Sequence, residues 1–263
     1  MSTSPLLIEE PCLSRAWARS ITHVLGHPGK SVSPLIVSIT GFKDNQVPED
    51  PAFRTAVDTA LEAAGEQSPH TVANTIFPQS LWRLAGGKRE RLYEIYIESF
   101  PRLQALARRL NRRGLYFERL IRWKPEGEGE RNNQLEWIIK QYGDRHSVRR
   151  SALQAAIFDP ERDHIADAQL GFPCLQQISF VPEGVVLVMN AFYAKQSLFQ
   201  KAYGNYLGLC RLGLFMAGEM GLTLERLNVT VGVAELEMLS KSHPLIKELQ
   251  KAAESVLLPA VAA

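Results

Sequence analysis

The residues of this chain with the type and spacing for chemistry gather around Cys174, the last residue of Gly171-Phe-Pro-Cys174. It follows a proline and heads an apolar run, where a strand begins. It lies 24 residues after Arg150 and 31 before Asn205. A thiolate so placed can act as a nucleophile in a pocket built from a β-hairpin and a long helix, provided that nearby positive charge lowers its pKa. The competing reading is a buried cysteine that only packs. The Arg149-Arg150 pair can grip an oxyanion with its guanidinium forks, or close a surface salt bridge. Asn205, in Ala202-Tyr-Gly-Asn-Tyr206, has the alternative of capping a helix. Glu235 and Glu237 alternate along a strand and share one face, either exposed or as the polar wall of a pocket for a ribose or a basic ligand. Cys210, in Leu209-Cys-Arg211, reads as core. Cys12, Cys174 and Cys210 show no CxxC spacing and His146, His164 and His243 no ligand spacing, so no metal is expected.

The elements that must hold these groups follow from periodicity. Trp17, Ile21 and Leu25 recur at helical spacing, which predicts a helix over 5–26. Pro34 to Thr40 reads as a strand, 52–64 as a helix, Thr71 to Phe77 as extended and Gln79 to Leu84 as a short helix or turn. A long helix over 88–112 should kink or split at Pro101. Arg108, Arg109, Arg112 and Arg113 crowd its end, as complements to the helix dipole on a solvated face or as phosphate ligands. Glu126 to Glu130 is a charged loop, 134–142 a helix and 149–158 a strand. Cys174 to Phe180 and Val185 to Phe192 flank a turn at Val181-Pro-Glu-Gly184, a hairpin signature. The small-residue-rich stretch 202–220 is a buried helix, 227–236 a strand and 243–257 an amphipathic helix before a small tail. No internal repeat breaks this order, which predicts an α+β fold: a mostly antiparallel or mixed sheet with a buried helix.

A chain of 263 residues suits one large domain or two small ones. Its 30 basic and 28 acidic side chains nearly cancel, so net charge implies neither a nucleic acid nor a membrane surface as partner. No apolar run reaches the ~18 residues of a membrane span. The first residues lack the basic start and apolar run of a signal peptide. Unpaired cysteines favour a reducing compartment, and a cytoplasmic location is expected.

These residues resemble the thymidylate synthase family, including the pyrimidine nucleotide hydroxymethylases. Asn133-Gln-Leu-Glu-Trp-Ile-Ile139 is similar to the family helix that opens with an Asp-Gln-Leu type sequence, and Ser147-Val-Arg-Arg150 to its Ser-Arg-Arg. Phe158-Asp-Pro160 is similar to its Trp-Asn-Pro, and Gly171-Phe-Pro-Cys174 to its Pro-Pro-Cys nucleophile motif. Phe192 to Asn205 falls where the family has Arg-Ser-x-Asp and a later Asn. Tyr116 to Trp123 resembles its Tyr-Gly-x-x-Trp-Arg stretch. The resemblance is clearest over 114–240. It implies a single thymidylate-synthase-like domain over 1–263, a mixed β-sheet with a long buried helix and surrounding helices, in a homodimer. It further implies that Cys174 adds at C6 of a pyrimidine nucleotide, so that C5 attacks a one-carbon unit carried by 5,10-methylenetetrahydrofolate. Arg149 and Arg150 would reach across the dimer to the partner's phosphate, and Asn205 would read the base edge. The family strand's ligand-contacting glutamine is displaced in this chain, which has Gln176 and Gln177 instead.

The departures from the family pattern matter as much. Counted from Cys174 without gaps, the phosphate-gripping Arg falls on Ala194, with Lys195 next to it. The acid that contacts folate falls on Ser197, and the sugar-holding His-x-Tyr pair on Glu235 and Glu237. The residue after the cysteine is Leu175 where the family has His. The early proton-relaying Glu falls on Gln79. These changes point away from housekeeping dTMP synthesis and towards a specialised methyl or hydroxymethyl transfer. Hydroxymethyl transfer is completed by water and not hydride, so it tolerates a changed folate site better. The alternative is a family member that has lost catalysis and serves as a nucleotide-binding or partner subunit.

Overall fold

The computed structural model describes residues 4–111, 113–124, 132–144, 148–164, 166 and 172–258. Strand β1 (Leu6–Glu10), helix α1 (Leu13–Gly26), β2 (Ser31–Val32) and β3 (Leu35–Ile39) come first. A run of helices follows: α2 (Pro51–Ala63), α3 (Pro69–Asn74), α4 (Gln79–Leu84), α5 (Arg89–Leu106), α6 (Arg108–Asn111), α7 (Tyr116–Ile121) and α8 (Gln134–Asp144). The last part holds β4 (Gln154–Ala156), α9 (Pro160–Asp163), β5 (Leu175–Glu183), β6 (Val186–Ser197), α10 (Tyr203–Glu219), β7 (Thr223–Glu235) and α11 (Pro244–Leu257).

The sheet runs β1-β3-β7-β6-β5-β4, with β2 pairing β7 off this path. It is open and mixed: β1/β3 and β6/β7 are parallel, the other pairs antiparallel. Alternation explains why it has one helix-covered face. Leu35, Val37, Ile39, Ile178, Phe180, Leu187, Met189, Leu227, Val229 and Val231 are buried on that side. On the other face a polar ladder crosses four strands in register. Ser38 Oγ donates to Asn228 Oδ1 (2.8 Å), Asn228 Nδ2 to Asn190 Oδ1 (2.9 Å) and Asn190 Nδ2 to Ser179 Oγ (3.3 Å).

The covering layer centres on α10, entered through a π-helical turn at Leu198–Ala202. Such a turn leaves backbone carbonyls out of the α ladder, and Trp17 Nε1 donates to Leu198 O at 3.0 Å. The small residues of α10 let α3 approach: a Cβ on Gly208 would lie 2.8 Å from Ala73 O, and one on Gly204 2.6 Å from Val72 Cβ. Among the described residues no helix is long and apolar enough to cross a membrane.

Several elements differ from the sequence expectation. Residues 6–10 form a strand and not the start of a helix, because Leu6-Leu-Ile-Glu-Glu10 pairs with β3 and Pro11 separates it from α1. The expected extended stretch at 71–77 is helix α3, with Pro69 in its first turn and Ser68 Oγ accepting from Thr71 N at 3.2 Å. Its β-branched residues hid that start signal. Pro101 lies inside α5 without ending it, and the break comes at Ala107 (φ −143°, ψ 63°). The expected strand 149–158 shrinks to β4, preceded by a 3₁₀ turn at Arg150–Ala152. Strand β5 runs on through Pro182, which lies past the end of β4, where a proline costs no ladder bond on that side. The loop at 126–130, Arg112, the Ser147 and Gly171 motif positions, His146 and the tail 259–263 lie outside the described residues.

Candidate functional site

The antiparallel β5/β6 pair and the parallel β6/β7 pair bring the head of β5 and the tails of β6 and β7 to one end of the sheet. Cys174 sits there, immediately before β5. Ala194 N donates to Cys174 O at 2.9 Å, which fixes the cysteine beside Ala194 and Lys195. Lys195 Nζ lies 3.0 Å from Glu235 Oε2 and 2.7 Å from Glu237 Oε1. Both carboxylates therefore face the same ammonium, Glu235 from the last position of β7 and Glu237 from just beyond it.

Two tyrosines complete the surroundings. Tyr193 precedes Lys195 by two residues, on the same strand face, and pairs with Leu175. It is fully buried, and its hydroxyl has no hydrogen-bond partner among the described residues. Tyr116, the first residue of α7, meets backbone groups of Cys174 and Leu175. Burial pushes both phenols up, so both stay neutral and can donate.

Electrostatics at the thiol run against activation. Cys174 is exposed, yet the protein crowded around it pushes the thiol up. Glu237 pushes the same way, and Lys195 pulls it down. The positive charge expected to favour the thiolate exists as Lys195, but it is held between two carboxylates. Those carboxylates in turn hold the Lys195 ammonium well above the usual lysine range, Glu237 chiefly.

The other sequence candidates lie elsewhere. A bulge between Leu175 and Gln177 puts Gln177 opposite Phe192, which is 44% exposed, on the open face of the sheet. There its amide donates to Gln154 Oε1. Gln177 is thus on the opposite side of the sheet from Tyr193, and Gln176 donates to Pro173 O. Arg149 and Arg150 are exposed at the far end of β5. Leu153, three residues on from Arg150, accepts from Phe180 N, and Phe180 lies ~20 Å along the strand from Cys174. Within one protomer the arginine pair does not meet the thiol. Asn205 is buried in the first turn of α10, and helical backbone continues behind it through the π turn, so it is not an N-cap.

Arg119 is not a spare phosphate ligand. Arg119 is 2% exposed and donates through both terminal nitrogens to Asp163, at 2.7 Å each. Arg122 lies 3.6 Å from Glu118 and over the Phe100 ring. Sequence reasoning missed Tyr193, since a tyrosine in a strand reads as an ordinary β-former. It also missed the Arg119–Asp163 pair, whose 44-residue separation leaves no local signature. Among the described residues no group of three His, Cys, Asp or Glu could hold a metal. No protein-family model matches the chain, and no curated protein matches it.

Proposed function

We propose that the protein transfers a one-carbon unit, methyl or hydroxymethyl, to C5 of a pyrimidine carried on a sugar, through a Cys174 adduct at C6. The observation that supports this most is the Cys174 position itself. It is an accessible thiol at a strand head, with a lysine, two carboxylates and two neutral phenols around it. In the addition the S–C6 bond forms and the C5=C6 π pair moves onto C5 and, by conjugation, onto the C4 oxygen of uracil or N3 of cytosine. Glu237 would take the thiol proton, and a phenol donor would steady the charge there. C5 is then nucleophilic towards a proton or a one-carbon electrophile.

The resemblance makes 5,10-methylenetetrahydrofolate the donor. Its acidic contact would fall on Ser197, which is 9% exposed and whose hydroxyl lies 3.3 Å from Gln200 Oε1. That contact does not fit, so these residues support the C6 addition and no step through folate. The resemblance also gives a nucleotide substrate in a homodimer, because Arg149 and Arg150 could reach a phosphate only from a second copy. Sedimentation at twice the 29.4 kDa chain mass would support that dimer, and a monomer would exclude it.

A second reading has an observation of its own. The upward-shifted thiol and the fully engaged Lys195 favour a chain that binds without turning over. Release of tritium from C5 of uracil and cytosine nucleosides and nucleotides separates the two. Transfer chemistry requires release that Cys174→Ser abolishes. Binding by calorimetry with no release from any of them would favour the second reading.

A further inference from the structure

The wall beside Cys174 carries two carboxylates against one ammonium, a formal charge of −1 from Lys195, Glu235 and Glu237. Their side chains are 51%, 35% and 31% exposed, so they line an accessible surface and are not sealed in the core. Backbone pairing sets two of them: Lys195 lies opposite Val233 and Glu235 opposite Ser197, with Glu237 just past the end of β7. Among the described residues Lys195 is the cation that acts on the thiol, and both of its carboxylate partners are already within hydrogen-bond range. Among the described residues Arg119 is spent on Asp163, and Arg149 and Arg150 stand at the far end of β5. The buried Tyr193 hydroxyl, on the same strand face as Lys195 and without a hydrogen-bond partner among the described residues, is one further polar group there, and it is neutral.

A phosphate monoester carries about −1.5 to −2 near neutral pH. Beside this wall it meets net repulsion and a lysine it must first pull from two carboxylates. Sugar hydroxyls meet the opposite situation, since carboxylate oxygens are acceptors only and hydroxyls can donate to them. We infer that the ring reaching Cys174 carries no phosphate: the substrate class is a pyrimidine nucleoside, held through its sugar hydroxyls by Glu235 and Glu237. This rests on the C5-transfer reading and narrows it.

The test compares C5 tritium release from uridine and cytidine with release from their 5′-monophosphates, at equal concentrations and low salt. The nucleosides should exchange faster, by on the order of tenfold in kcat/KM. In the Glu235→Gln protein, which keeps the Glu237 base and relieves Lys195 of one carboxylate, the ratio should move towards the monophosphates. Because a ratio is read, partial loss of folded protein does not change the answer, and the wild-type ratio alone decides if the variant does not fold. Faster exchange of the monophosphates by the wild type overturns the inference while leaving C5 transfer in place, and indicates the arginine pair of a second copy at work. No exchange from any of the four overturns the C5-transfer reading for these substrates, and the inference with it.

Discussion

Asp163→Asn should be among the most damaging single changes outside the core, because it leaves a buried guanidinium unpaired. Arg119 and Asp163 have side chains 3% and 0% exposed and share two hydrogen bonds of 2.7 Å. Arg119 also donates to Ile157 O at 2.7 Å and Arg113 O at 2.9 Å, so one side chain ties α7, α9 and the segment between β4 and α9. Breaking such a pair from one side costs ~3–5 kcal/mol. For 263 residues the unfolding entropy is ~0.55 kcal/mol/K, so the melting temperature should fall by roughly 5–9 °C. Urea unfolding followed by circular dichroism gives the free energy directly. Replacing both partners together, Arg119→Met with Asp163→Leu, should recover much of the loss, since no charge is then stranded. Burial pushes the Asp163 carboxyl up, but the Arg119 hydrogen bonds outweigh it and hold it below its ordinary 3.8. Its contribution is therefore complete above the unfolded pKa and lost as pH falls through the lower folded value. Arg119→Met should flatten that acid limb below about pH 4. A loss under ~1 kcal/mol in Asp163→Asn, the range of a solvent-screened pair, would refute the reasoning.

Three further outcomes are expected. Gly208→Ala should destabilise by ~1–3 kcal/mol in the same unfolding assay, because its Cβ would lie 2.8 Å from Ala73 O and 2.9 Å from Ile76 Cβ; a neutral result would mean that α3 yields freely. Glu237→Gln should speed iodoacetamide alkylation of Cys174 at neutral pH and Lys195→Met should slow it, following the opposite signs of the two charges at the thiol. The same direction of change in both variants would contradict that electrostatic account. Asn228→Leu should cost ~1–3 kcal/mol by leaving the Ser38 hydroxyl proton and Asn190 Oδ1 without their ladder partner, read by urea unfolding; unchanged stability would mean that water replaces the ladder.

The mixed sheet, the β5/β6 hairpin and the buried α10 were legible because each is written in local terms: alternating apolar residues around Gly184, and a small-residue apolar run after Ser197. Strand β1 was not, since five residues before a helix carry no sign that they will pair with β3. Period-two alternation does not reach Glu237, because β7 ends at Glu235, and the shared partner Lys195 depends on which strand lies beside β7, which only the fold decides. The side of the sheet that Gln177 occupies was hidden for a related reason. One bulge reverses the side of the sheet on which every later residue sits. The Arg149-Arg150 motif was readable as residues, yet its distance from Cys174 depends on the direction of β4 along β5.

The most direct measurement of the central claim is proton NMR of uridine and cytidine incubated with the protein in D2O. Addition of Cys174 at C6 makes C5 exchange its proton, so the H5 doublet should disappear and the H6 doublet collapse to a singlet, with Cys174→Ser leaving both intact. Exchange that continues unchanged in Cys174→Ser would contradict the assignment of the nucleophile. A wild-type spectrum in which H5 persists for these nucleosides and for their monophosphates would contradict the reaction itself.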